Sequence, residues 1–119
     1  MDLIWEKARD IGRLVAQTDE YQALKRANER LADDREAVTR LNRLQELEAG
    51  FTRSIQHGVE PPQEEQDEYE RLALEVQGLA GYQALIAAQS NFERLMMRVQ
   101  EEIAKGVEMG QQSRIILTS

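Results

Sequence analysis

The sequence predicts an all-α protein of about five helices, bundle-like, built around a long antiparallel helical hairpin. Three observations predict it. Ala, Leu, Glu, Gln and Arg dominate a 119-residue chain that is 31% charged and 5% aromatic, the composition of helical bundles and coiled coils. Apolar residues recur at spacings of three and four along most of the chain, the period of a helix with one buried face. Both of the chain's prolines stand together in Gly58-Val59-Glu60-Pro61-Pro62, after a stretch free of Gly and Pro between Gly12 and Gly50. Strand formers cluster only at Ile115-Ile116-Leu117-Thr118. A chain this long is expected to form one domain, here residues 1–106, followed by a flexible C-terminal tail, 107–119.

The first helix is expected over 2–17, with Asp2 as its cap. Ile4, Ala8, Ile11 and Val15 form a stripe that Leu3 and Leu14 widen on one side and Trp5 on the other. The stripe reads as a helix docked on a core. Trp5, flanking it, is a candidate contact with a second subunit. Thr18 is the next N-cap, with Asp19 and Glu20 where acids suit the helix dipole. The second helix, 19–32, carries Tyr21, Leu24, Ala27 or Asn28, and Leu31 on its inner face. Asp33 and Glu36 then stand at capping-box spacing.

The third helix is expected to run to about His57. Its length of roughly 35 Å exceeds what a compact domain of this size needs, which argues for assembly. Its seam reads Ala37, Leu41, Leu44, Glu48, Phe51, Ile55, alternating four and three as in a heptad register. Glu48 interrupts the seam. It either lies near water or beside an Arg, or it sets register or partner choice as polar seam residues can. His57, the only histidine, stands where an imidazolium caps a helix C-terminus. One His without spaced partners is no metal or catalytic site.

Pro62 opens the fourth helix, because its missing N–H would be unpaired in a first turn anyway. Glu64, Glu65, Asp67 and Glu68 follow; the dipole favours acids there without any metal. Tyr69, Leu72, Val76 and Leu79 form the inner stripe, and Leu74 points almost opposite. Gly78 and Gly81 bracket a joint. The fifth helix, from about Tyr82 to Lys105, carries Leu85, Ala88 or Gln89, Phe92, Met96, Val99 and Ile103, widened by Leu95. Ile86 and Met97 lie to the other side, and a helix apolar on two sides is central or shared between subunits. Beyond Gly106 the helical period fades, and Arg114-Ile115-Ile116-Leu117 is a candidate docking segment.

Several functions are disfavoured. A net charge of −7, with twelve arginines interleaved with acids, gives no counterion-release drive onto nucleic acid. The absence of cysteine removes disulfides, zinc-thiolate and iron–sulfur ligation by this chain alone. The start has no basic segment followed by an apolar run, and no apolar stretch approaches the ~20 residues that span a bilayer. These features suggest a cytoplasmic protein without cofactor, metal, nucleic-acid or membrane partner. No paired acids or polarised nucleophile support an enzyme.

Tyr21-Gln22-Ala23-Leu24 recurs as Tyr82-Gln83-Ala84-Leu85, and Ala27 and Val38 match Ala88 and Val99 at the same offset of 61. The echo is consistent with two helical halves flanking the proline break. Taken with Leu14-Val15-Ala16, Thr18 with Tyr21, Ala27, Leu31, Asp34 with Ala37, the Gly58–Pro62 break and the helix from Tyr82 to Ile103, the chain resembles the YlbF/YmcA (YheA-like) family of small all-helical bacterial proteins. The resemblance covers most of residues 1–106. It implies five helices, oligomerisation, no enzyme activity, and a part in regulatory complexes affecting competence, biofilm formation, sporulation or RNA processing. The cysteines that some members tie to an iron–sulfur cluster are absent here, so that cofactor is not implied.

Two readings of function follow. In one, the protein is a homo-oligomer, with a dimer favoured, serving as adaptor or regulator. In the other, it is a purely structural helical scaffold. Trp5, Leu44, Glu48, Phe51, Ile55, Leu74, Ile86 and Met97 are the candidate interface residues.

Overall fold

Helix ends in this chain are set by a few short-range devices, each visible in the computed structural model. The structure describes the backbone of residues 1–118 and the side-chain surroundings of residues 1–111. Five helices follow in order: α1 (Asp2–Ala16), α2 (Asp19–Ala32), α3 (Arg35–Gln56), α4 (Gln63–Gln77) and α5 (Ala80–Thr118). The described residues contain no strand.

Thr18 starts α2: its backbone is extended and its hydroxyl accepts the Tyr21 N–H at 3.2 Å. Asp34 does the same for α3, accepting the Ala37 N–H at 3.1 Å. The cap is therefore Asp34, not Asp33, which closes α2 instead. The reason is that Ala37 is fully buried, so its N–H cannot be left to water and takes the carboxylate three residues back.

His57 ends α3, as its position before Gly58 predicts, and Gly58 then turns left-handed at φ +69°. The Gly58 N–H bonds to Ile55 O at 3.1 Å and the Val59 N–H to Ser54 O at 2.9 Å. These are the two bonds of a Schellman motif, which needs a residue that tolerates positive φ. Pro62 is the N-cap of α4, one residue before its expected place in the first turn.

α5 departs most from expectation. It does not end near Lys105 but runs through Gly106 and Gly110 to Thr118. Glycine costs a helix only about 1 kcal/mol relative to alanine, and no proline follows to stop it. The Arg114–Leu117 docking candidate lies outside the residues whose side chains are described.

Two antiparallel helix pairs make up the molecule. α2 lies on α5, with Tyr21 against Phe92 (ring centroids 5.8 Å apart) at one end and Leu31 beside Gly81 at the other. α3 and α4 form the expected hairpin across the Gly58–Pro62 turn. The pairs meet at an elbow where Leu31, Ala37 and Leu85 are buried and Leu24, Ala27, Leu41, Leu79 and Tyr82 pack on them.

The echoed tetrapeptides do the same job twice. Gln22 donates from its side chain to Ala16 O at 2.8 Å, closing α1, and Gln83 donates to Gln77 O at 3.0 Å, closing α4. Each Gln thereby ties the start of one helix to the last carbonyl of the helix before it.

The result is long: 70 × 37 × 23 Å, with a radius of gyration of 21.8 Å. A compact domain of this length has a radius of gyration of roughly 13–14 Å. Accessible surface is likewise high, 9477 Å² against about 6,600 Å² for a compact chain of this mass.

Candidate interaction surfaces

The hairpin is closed by its own side chains. Leu47, Leu72 and Val76 are buried between α3 and α4. Arg43 reaches across with two bonds to Glu68, Nη2 to Oε1 at 2.7 Å and Nε to Oε2 at 3.0 Å, and a third to Glu46 at 3.2 Å. This fork-on-fork geometry is the strongest form of the pair. It holds the Glu68 carboxyl below the usual carboxylate range and raises the Arg43 guanidinium further above its own. Arg40 meets Glu75 at 3.1 Å one step nearer the elbow.

Phe51 and Tyr69 stack edge-on, with centroids 5.6 Å apart, and the Tyr69 hydroxyl donates to Glu48 at 2.9 Å. That bond to the carboxylate, with partial burial second, raises the Tyr69 phenol above its ordinary value. Glu48 is exposed and off the seam. The seam runs Ala37, Leu41, Leu44, Leu47, Phe51, Ser54, so the heptad reading slips by one residue at its fourth position. Leu47, only 3% exposed, takes the place assigned to Glu48, and Ile55 is turned out to 72% exposure.

The opposite end is open. α1 is strongly amphipathic yet contains no buried residue. Ile11 and Val15 are partly covered near α2, but Leu3, Ile4 and Leu14 are more than half exposed. The expectation of a helix docked on a core is therefore corrected: no residue of α1 is buried, and its partial cover lies at its C-terminal turns. Beyond Arg98, α5 has outrun α2, and Ile103 and Val107 stand in solvent. On the polar side of this stretch Lys105 bonds to Glu102 at 3.1 Å and lowers its carboxyl.

The interface candidates fall into three places. Leu44 and Phe51 are half-buried in the hairpin, with Glu48 at the rim of the same groove. Trp5, Ile55 and Leu74 are exposed on three different helices. Ile86 and Met97 share one side ridge of α5 and are also exposed. Leu3, Ile4, Leu14 and Val107, outside the candidate set, are exposed as well; periodicity identifies an apolar face without saying what covers it.

The clefts are shallow. One of about 590 Å³ sets Asp19 and Glu20 against Arg94 and Arg98 and so favours neither sign of charge. Among the described residues no three His, Asp or Glu side chains converge in a metal-holding arrangement. No helix among them is long and apolar enough to cross a membrane.

Comparison with known proteins gives a family and curated relatives. A family model described as "Control of competence regulator ComK, YlbF/YmcA" matches residues 4–108. A UPF0342 protein of Limosilactobacillus reuteri is 24% identical over 105 residues, covering 88% of this chain and 85% of the relative. One from Staphylococcus saprophyticus is 20% identical over the same length, covering 88% and 92%. Two of the residue pairs that carry the resemblance, Thr18 with Tyr21 and Asp34 with Ala37, are the capping pairs of α2 and α3.

Proposed function

The chain belongs to the YlbF/YmcA family, and from that premise we propose that it is a non-enzymatic, oligomeric interaction protein, an adaptor or regulator in a cytoplasmic bacterial complex. The observation that carries this reading is the match over residues 4–108 to a family described by its control of a competence regulator. The physical form supports it. A chain with nearly half again the surface of a compact protein, and large apolar side chains exposed on α1, α3, α4 and α5, is built to be covered by protein. Thr18 and Asp34 are engaged in caps, and Arg40 and Arg43 in cross-helix pairs.

Purification of a tagged copy from native extract tests the reading. Stoichiometric recovery of a regulatory or processing protein supports the adaptor. Recovery of the bait alone favours the second reading, a homo-oligomeric scaffold, which the surface excess also fits. A strict monomer at micromolar concentration, measured by light scattering, overturns both. Saturable turnover of any substrate, lost on Glu48→Gln or His57→Ala, overturns the non-enzymatic assignment.

A further inference from the structure

We infer that the distal half of α5 covers α1 of a second copy, so that two chains close each other's open ends by a reciprocal exchange of these arms. The inference rests on the oligomeric reading above and names its contact surface. It starts from the internal echo. At the offset of 61 residues, α1–α2 corresponds to α4–α5, each pair joined by the same Gln-to-carbonyl bond. In the second pair α4 is covered, because α3 lies along it. In the first pair α1 has no such cover.

The element equivalent to α3 at the same offset is 96–117, the distal part of α5. The chain breaks at Asp33–Asp34, which lets α3 leave the line of α2. At the equivalent place, Arg94–Leu95, it does not break, and α5 runs straight on. The element that corresponds to a cover for α1 is thus carried away from its own α1. Two apolar positions of α3 recur there displaced by one: Val99 and Ile103 stand 62 residues beyond Ala37 and Leu41.

α1 is not free to swing across and meet it. The joint at Gln17–Thr18 has the Thr18 hydroxyl donating to Val15 O at 2.6 Å and Gln22 holding Ala16 O. Both bonds hold α1 in its present direction from α2. Lengths match between copies instead: α1, with 15 residues, is roughly 22 Å long, and α5 beyond Arg98 is roughly 30 Å. The area also fits. The surplus surface of roughly 2,900 Å² per chain exceeds the ~800 Å² that each partner gives to a standard interface. A contact in which α1 meets α5 and α5 meets α1 is isologous and closes as a dimer.

Absence of native cysteine makes the test clean. Ala8→Cys in one tagged copy is mixed with Val99→Cys, Ile103→Cys or Val107→Cys in a differently tagged copy, under mild oxidation. The three positions step along one face by about a turn each and so sample three registers. The expected result is an inter-copy disulfide in at least one mixture and none with Val59→Cys at the hairpin turn. In a second arm, Ile4→Glu and Ile103→Glu each halve the solution mass from two chains to one while helical circular dichroism is kept, since neither side chain is buried within its own chain. A dimer that persists in both charge variants, or one that gives no α1–α5 disulfide in any mixture, overturns this inference and leaves the oligomeric reading standing. A wild-type monomer removes both.

Discussion

The two ends of this molecule solve the same problem differently. At the hairpin end, α3 and α4 bury Leu47, Leu72 and Val76 against each other and fasten the seam with Arg43–Glu68 and Arg40–Glu75. At the other end, α1 and the distal α5 are no less apolar, yet Ile4, Ile103 and Val107 are more than half exposed. The difference is not one of composition. It comes from a turn: Gly58 reverses the chain so that α4 covers α3, whereas nothing reverses α5. The stability of a helix comes mainly from burying its stripe, so one end is finished within the chain and the other is not.

Substitution should expose this contrast. The largest effect is expected at Leu47→Ala, which removes a buried side chain from the closed end and should cost about 2–5 kcal/mol in urea unfolding. A loss under about 0.5 kcal/mol would mean that the hairpin is no more closed than α1. Next is Gly58→Ala. A methyl group has room there, with nothing within 4 Å, so the cost is backbone strain alone at φ +69°, about 1–2 kcal/mol. Adding the same methyl at Gly106 or Gly110, which are open helical positions, should instead raise helicity, read by circular dichroism.

Tyr69→Phe should cost less than about 1 kcal/mol, the net worth of one partly exposed hydrogen bond. Because the folded phenol titrates above its unfolded value, its contribution is complete below about pH 10 and fades as pH climbs through the raised value. The gap between wild type and variant should therefore narrow in alkali. Glu68 has the opposite sign: its carboxyl is lowered by Arg43, so its contribution is present above the unfolded carboxylate range and is lost in acid. The smallest effect is expected at Ile4→Ala, within about 0.5 kcal/mol when unfolding is followed in dilute solution where chains stand alone. A cost of 2 kcal/mol or more there would place α1 on a core within its own chain.

Most of the fold was legible because its boundaries are written in local chemistry. Thr18 before an acidic turn, Gly58 after His57 and the paired prolines each act over three or four residues, and each marks a helix end in the structure. What was not legible depends on distance. Leu47 and Glu48 differ by one position on a helix, and only the presence of α4 decides which turns inward. Gly106 reads as a stop when glycine is only a weak one without a following proline. The site was partly readable in the same sense. Leu74, Ile86 and Met97, placed off the main stripes, are exposed, while Leu44 and Phe51 on the seam are half-buried by their own hairpin. Ile4 and Ile103, on main stripes, are exposed as well, since their cover is not local.

α5 has one more consequence. A single helix of 39 residues is a rod of roughly 58 Å. The hairpin elbow grips one end of it, and the other end projects beyond α2. Its far end therefore stands roughly that length from the elbow.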